Sequence, residues 1–109
     1  MNTNRILSDC QSLDEVRSNI DNIDREIIGL IAQRSHYVDQ ASGFKKTMNE
    51  VTDTKRVEAN IIKVKQIAKE CNLDENLVEQ VFRDMMNAFI KREIRKFDPI
   101  YETLKKSYY

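Results

Sequence analysis

The chain has 109 residues, 40% of them hydrophobic and 33% charged, with 18 basic and 18 acidic side chains. That is the size of one domain, and a formal charge of zero leaves no electrostatic footprint for nucleic acid or an anionic membrane surface. Two glycines and one proline are too few to punctuate a strand-and-turn protein, which excludes an all-β fold. No apolar run approaches the ~20 residues of a membrane-spanning helix, and the polar start MNTNRILSDC does not read as a signal peptide. The expectation is a cytoplasmic protein with a single domain over residues 1–109.

In chain order, Ser12-Leu13-Asp14-Glu15 forms a capping box, in which the Ser12 hydroxyl accepts from the Glu15 amide while Glu15 reaches back. From there Val16, Ile20, Ile23, Ile27, Leu30, Arg34, Tyr37, Ala41 and Phe44 step by four and three without a break. That is the period of one apolar helical seam, and it predicts a first helix from about 13 to about 47. At 1.5 Å per residue such a helix is roughly 50 Å long, against a radius of gyration of ~13 Å for a compact domain of this size. Its seam calls for a partner, and the expectation is an interlocked homodimer.

Residues 48–53 break the period and read as a loop. Thr52 or Asp53 can cap a second helix with Val57, Ile61, Val64 and Ala68 inward. Cys71-Asn72 ends it, since asparagine tolerates the left-handed conformation. Asp74 caps a third helix with Leu77, Val78, Val81, Phe82, Met85, Met86, Phe89, Ile90, Ile94 and Phe97 inward, and Pro99 stops it. The tail from Ile100 to Tyr109 either packs back through Tyr101 and Leu104 or frays. No repeat or low-complexity segment interrupts this order. The predicted class is all-α, with three helices per chain, one of them very long.

The common catalytic kits are missing. Cys10 and Cys71 lack CxxC spacing, and a reducing compartment disfavours a disulfide between them. With His36 as the single histidine, neither a histidine metal site nor a Ser-His-Asp triad finds its parts. There is no GxGxxG and no GxxxxGK[ST] cradle for phosphates. No metal and no cofactor are expected.

What stands out is charge on apolar faces. Arg34 occupies a seam position between Leu30 and Tyr37, where an unpaired guanidinium would be costly to bury. The plain reading is an arginine that snorkels to water or pairs structurally. Glu93 lies on the face of Phe82, Met86, Phe89 and Phe97; its plain reading is a carboxylate paired across a helix interface, with Arg34 as one partner to consider. Lys45 ends the seam beside Phe44, Arg56 lies near the positive N-terminus of the second helix, and Arg17 flanks Val16; each alone would be an ordinary solvated cation. His36 and Cys71 read as surface residues, and the Met85-Met86 pair as core filling. Together three arginines, a lysine and a glutamate beside apolar faces suit a small dianion, because guanidinium forks match carboxylates bidentately.

An ordered set of residues then resembles the all-α chorismate mutase family over about residues 12–97. It comprises Val16-Arg17, Ile23-Asp24, Arg34, Tyr37-Val38, Ala41-Ser42-Gly43-Phe44-Lys45, Asp53-Thr54-Lys55-Arg56-Val57 and the third helix through Glu93. The resemblance implies intertwined helical dimers with two active sites, each completed by an arginine of the other chain. In that frame Arg17 of the partner subunit and Arg34 grip the two ends of the substrate. Lys45 and a protonated Glu93 bond the ether oxygen, Arg56 supports the site, and Asp53 faces the ring hydroxyl.

Two departures matter. Val57 stands where many mutases have a glutamate, and Phe89 stands where the family has a serine one turn before the Glu93 position. The Tyr37-Val38 to Phe44-Lys45 run and Arg56-Val57 also resemble the family's isochorismate-pyruvate lyases, which make salicylate.

The chemistry implied is rearrangement of chorismate to prephenate in one pericyclic step, by orienting a dianion and stabilising charge on its ether oxygen. The alternatives are isochorismate-pyruvate lyase and a non-catalytic helical dimerisation module. The seam argues against the last, since a pure zipper has no reason to carry Arg34 and Glu93.

Overall fold

In the computed structural model, which describes residues 7 and 9–97, four helices follow one another: α1 (Leu13–Ser42), α2 (Met48–Val51), α3 (Thr54–Glu70) and α4 (Glu75–Phe97). Every regular element among the described residues is helical, so the all-α class holds. The three predicted helices are α1, α3 and α4. Pro99 and the tail with Tyr101 and Leu104 lie outside the described residues. The chain divides into two compact units, the second beginning at Tyr37.

The first unit is dominated by α1, which starts where its capping box dictates. The Glu15 amide donates to Ser12 Oγ at 3.1 Å, while the Glu15 carboxylate accepts from the Gln11 amide at 2.9 Å, one residue before the cap. The seam residues Val16, Ile20, Ile23, Ile27 and Leu30 are each 38–49% exposed, and no residue of the 30-residue helix is buried. Among the described residues, this stripe stays uncovered.

The second unit takes in the last turn of α1 and everything after it. Here the helix ends five residues earlier than the period predicts. The amides of Gly43, Phe44 and Lys45 donate to the carbonyls of Gln40, Ala41 and Ser42 at 3.0–3.2 Å, three tight turns that unwind the helix. The Ser42 hydroxyl donates to the Val38 carbonyl, and glycine at 43 lowers the cost of leaving the helix. Phe44, expected in the seam, is therefore 84% exposed.

The segment read as a loop contains α2, one helical turn starting at Thr47. Asp53 then caps α3 by accepting from the amides of Lys55 and Arg56 at 3.0 and 3.2 Å. At the other end Asn72 adopts φ 54°, the Leu73 amide donates to Ala68 O at 2.9 Å, and the Asn72 amide to Lys69 O at 3.1 Å. This is a Schellman motif with asparagine in the left-handed position. Asp74 caps α4 through the Asn76 amide at 2.8 Å.

Ion pairs Glu58–Arg83, Lys65–Glu79 and Lys69–Glu75 descend α3 as they climb back along α4, so the two helices form an antiparallel hairpin. Ile61, Ala68 and Met86 are buried along it, and Val51 of α2 is buried too. Val57 and Val64, like most of the apolar face expected of α4, are half-buried; Leu77, Val81 and Phe97 are exposed in the single chain.

Candidate active site

Among the described residues the charged group that the structure buries is Glu93, 6% exposed on α4. Isolated carboxylates are not left in such places, because losing water costs them several kcal/mol. Its partner is Lys45, whose Nζ donates to Oε2 of Glu93 at 2.9 Å and which is 26% exposed. The two are 48 residues apart in sequence, and two local features bring them together. The unwinding at Gly43 frees Lys45 from α1, and Val51, buried at 3%, seats α2 against α4 just beyond it. Beside Glu93 a cavity of about 240 Å³ is lined by Ser42, Gly43, Val51, Glu93, Lys96 and Phe97. Ordinary small-ligand pockets run from roughly 300 Å³ upward, so this cavity is smaller than most of them.

The other expected site residues lie on α1 and at the start of α3. Arg34 on α1 is half-buried, with its Nη1 shielded from water. Arg17, also on α1, is exposed. Asp53 and Arg56 meet at the start of α3, where the Asp53 carboxylate accepts the Arg56 amide. Both side chains are exposed. The structure thus joins Lys45 to Glu93, and joins Asp53 to Arg56 through the backbone.

One contributor escaped the sequence reading. Thr47-Met48-Asn49-Glu50 is itself a Ser/Thr-x-x-Glu signature, hidden because no apolar period comes after it. The Glu50 amide donates to Thr47 Oγ1 at 3.2 Å, and the Glu50 carboxylate accepts from the Lys46 amide at 2.6 Å. The connection carrying Lys45 is held by this box.

Around the pair, α4 presents further charge. Arg92 and Lys96 both bond Oδ1 of Asp39, and Arg92 lies over the Phe89 ring at 5.2 Å. The Lys96 bond first, then Arg92, holds the Asp39 carboxyl below its ordinary value. On the hairpin, Arg83 grips Glu58 with both terminal guanidinium nitrogens and Glu79 with Nε, lowering both carboxyls and raising its own already high value. Among the described residues no group of three or more His, Cys, Asp and Glu is placed to hold a metal ion, and no helix is long and apolar enough to cross a membrane.

The family model for chorismate mutase type II matches residues 16–94. An isochorismate pyruvate lyase of Pseudomonas aeruginosa is 32% identical over 87 residues, spanning 80% of this chain and 86% of that protein. A chorismate mutase of Methanocaldococcus jannaschii is 30% identical over 74 residues, spanning 67% of this chain and 75% of that protein. The match runs from the first turn of α1 to the residue after Glu93, taking in both members of the buried pair, and on it the chain belongs to the type II chorismate mutase family.

Proposed function

We propose that the chain is a chorismate mutase, converting chorismate to prephenate. The observation that carries this reading is the Lys45–Glu93 pair: a carboxylate buried on an apolar face, met by a lysine delivered from a connection rather than from a packed helix. The rearrangement is pericyclic and needs no nucleophile. What it needs is a bound dianion folded into its reactive conformer and a donor at the breaking ether oxygen, worth most where water is excluded.

On this reading Lys45 turns from Glu93 to the substrate, bonding the ether oxygen and a carboxylate. Glu93 donates the second bond, which only its protonated form can do. Arg34 grips one carboxylate and Arg17 of the partner subunit the other. Arg56 supports the site, and Asp53 faces the ring hydroxyl. The uncovered seam of α1 supports a homodimer in which a second α1 lies along it. The setting would be the cytoplasm, on the route to aromatic amino acids.

A second reading, isochorismate-pyruvate lyase, is favoured by Val57 at the start of α3, where many mutases carry a carboxylate near the substrate hydroxyl. The same grip would then hold isochorismate while the C–O bond breaks, a hydrogen is transferred, and salicylate and pyruvate form. Incubating the protein separately with chorismate and isochorismate, and identifying the products, tests both readings. Prephenate from chorismate is expected; salicylate with pyruvate from isochorismate alone would select the second, and no turnover of either would reject both. In the same assay, inactive Arg17→Ala and inactive Lys45→Ala chains mixed under subunit exchange should regain activity.

A further inference from the structure

Lys45 is a long side chain on a connection, the arrangement that ordinarily carries the most freedom to lose when a contact forms. Its Nζ nevertheless sits at 2.9 Å from a buried carboxylate. The backbone on both sides of it explains this. The Lys45 amide donates to Ser42 O at 3.1 Å, and the next amide, that of Lys46, donates to Oε2 of Glu50 at 2.6 Å. Glu50 is itself fixed: its amide is held by Thr47 Oγ1, and the neighbouring Val51 is buried at 3%. Thr52 Oγ1 closes the turn on Met48 O at 3.0 Å. A helix of four residues does not sustain itself, since nucleation alone is unfavourable. A box spent on starting so short an element has another product, and that product is the peptide plane after Lys45.

We propose that Glu50 is a positioning residue for Lys45: by holding the Lys46 amide, its carboxylate fixes the backbone from which the lysine reaches Glu93 and, in the reaction, the substrate. The second half rests on Lys45 being the substrate contact described above; the first half does not.

The test uses the full chain as wild type, Glu50→Ala and Glu50→Gln. Trace acetylation of Lys45 is followed by peptide mass, with exposed Lys63 as the internal reference. Release of Lys45 should make it acetylate several-fold faster in Glu50→Ala, whereas Glu50→Gln, whose amide oxygen still accepts, should stay near the wild-type rate. With whichever substrate the wild type consumes, kcat should fall roughly tenfold in Glu50→Ala, below the ~10²-fold of a 1 Å misplacement. Glu50→Gln should recover most of it, with the helical circular-dichroism signal the same in all three proteins. Unchanged Lys45 acetylation in Glu50→Ala overturns the proposal whatever the activity. Faster acetylation with undiminished kcat overturns the positioning role in the reaction. If the wild type consumes neither substrate, it is the proposed function that fails, and the acetylation rate still decides whether Glu50 places Lys45.

Discussion

The same four-residue signature starts two helices in this chain, and the outcomes could hardly differ more in length. At Ser12 the box opens a helix of 30 residues; at Thr47 it opens one of four. In both, the glutamate carboxylate accepts from the amide just before the cap, at Gln11 and at Lys46. The local chemistry is shared, so the difference lies in the residues downstream of each box. After Ser12 the step of four and three continues, with Arg34 the charged residue on it. After Thr47 it meets Asp53, whose extended backbone and amide-accepting carboxylate begin α3, and one helix cannot run through the cap of the next. A box fixes a start, and the downstream pattern fixes a length. Where the length is one turn, the product is a short hydrogen-bonded connection, and Lys45 lies just before it.

That contrast can be broken at several points. The largest effect is expected at the residue the second box delivers. Lys45→Ala should lower kcat by about 10²–10³, the cost of losing one preorganised donor to developing charge. Asp14→Ala, inside the first box, should leave kcat unchanged. Steady-state kinetics on both variants would undo the contrast if they behaved alike.

An intermediate effect is expected at the caps themselves. Ser12→Ala should cost about 1 kcal/mol of stability, the usual loss of a helix cap, with no change in kcat. Thr47→Ala should cost no more than that in urea unfolding and yet lower kcat several-fold. Equal kcat values in the two would mean that the second box is an ordinary cap.

The smallest effect separates the hairpin of the second unit from the rest of α1. Asp39, Glu58 and Glu79 are held by cations in the folded chain, so their folded values lie below their unfolded ones. Their contribution is present above the ordinary carboxylate range and is lost as pH falls through the depressed folded values. These are exposed pairs, screened by salt, and the gain is modest. The urea midpoint should drop between about pH 6 and about pH 3, and the drop should shrink in Arg83→Met, which releases Glu58 and Glu79 together.

Much of this was legible in the sequence, for definable reasons. Ser12, Asp53, Asn72 and Asp74 each act locally, through bonds to amides or a backbone angle a few residues away, so their spacing marked these caps, with Thr52 the alternative to Asp53. Glu93 stood out because a charge interrupts an apolar face, and among the described residues it is the buried charge. The end of α1 was not legible: Phe44 satisfies the period, and only the tight turns at Gly43 show that the helix has already unwound. Spacing did not pair Glu93 with Lys45 either; the family resemblance set both at one ether oxygen, while the contact across 48 residues depends on how α2 seats on α4. The second box was present in the sequence and was masked by the lack of a period after it.

If Lys45 and Glu93 form the reaction's donor pair, they are kept for a ligand and not for the stability of the fold. Buried ion pairs replaced on both sides by apolar residues of similar size commonly leave stability unchanged or higher, whereas removing one partner costs roughly 3–5 kcal/mol. The deciding measurement is therefore on the double variant Lys45→Met, Glu93→Met, comparing its urea midpoint and its turnover with those of the wild type. The expected outcome is a folded helical protein with a midpoint at or above the wild-type value and turnover reduced at least about a hundredfold. A double variant that turns substrate over within twofold of the wild type would contradict a ligand role, and would return the pair to that of an ordinary interior salt bridge.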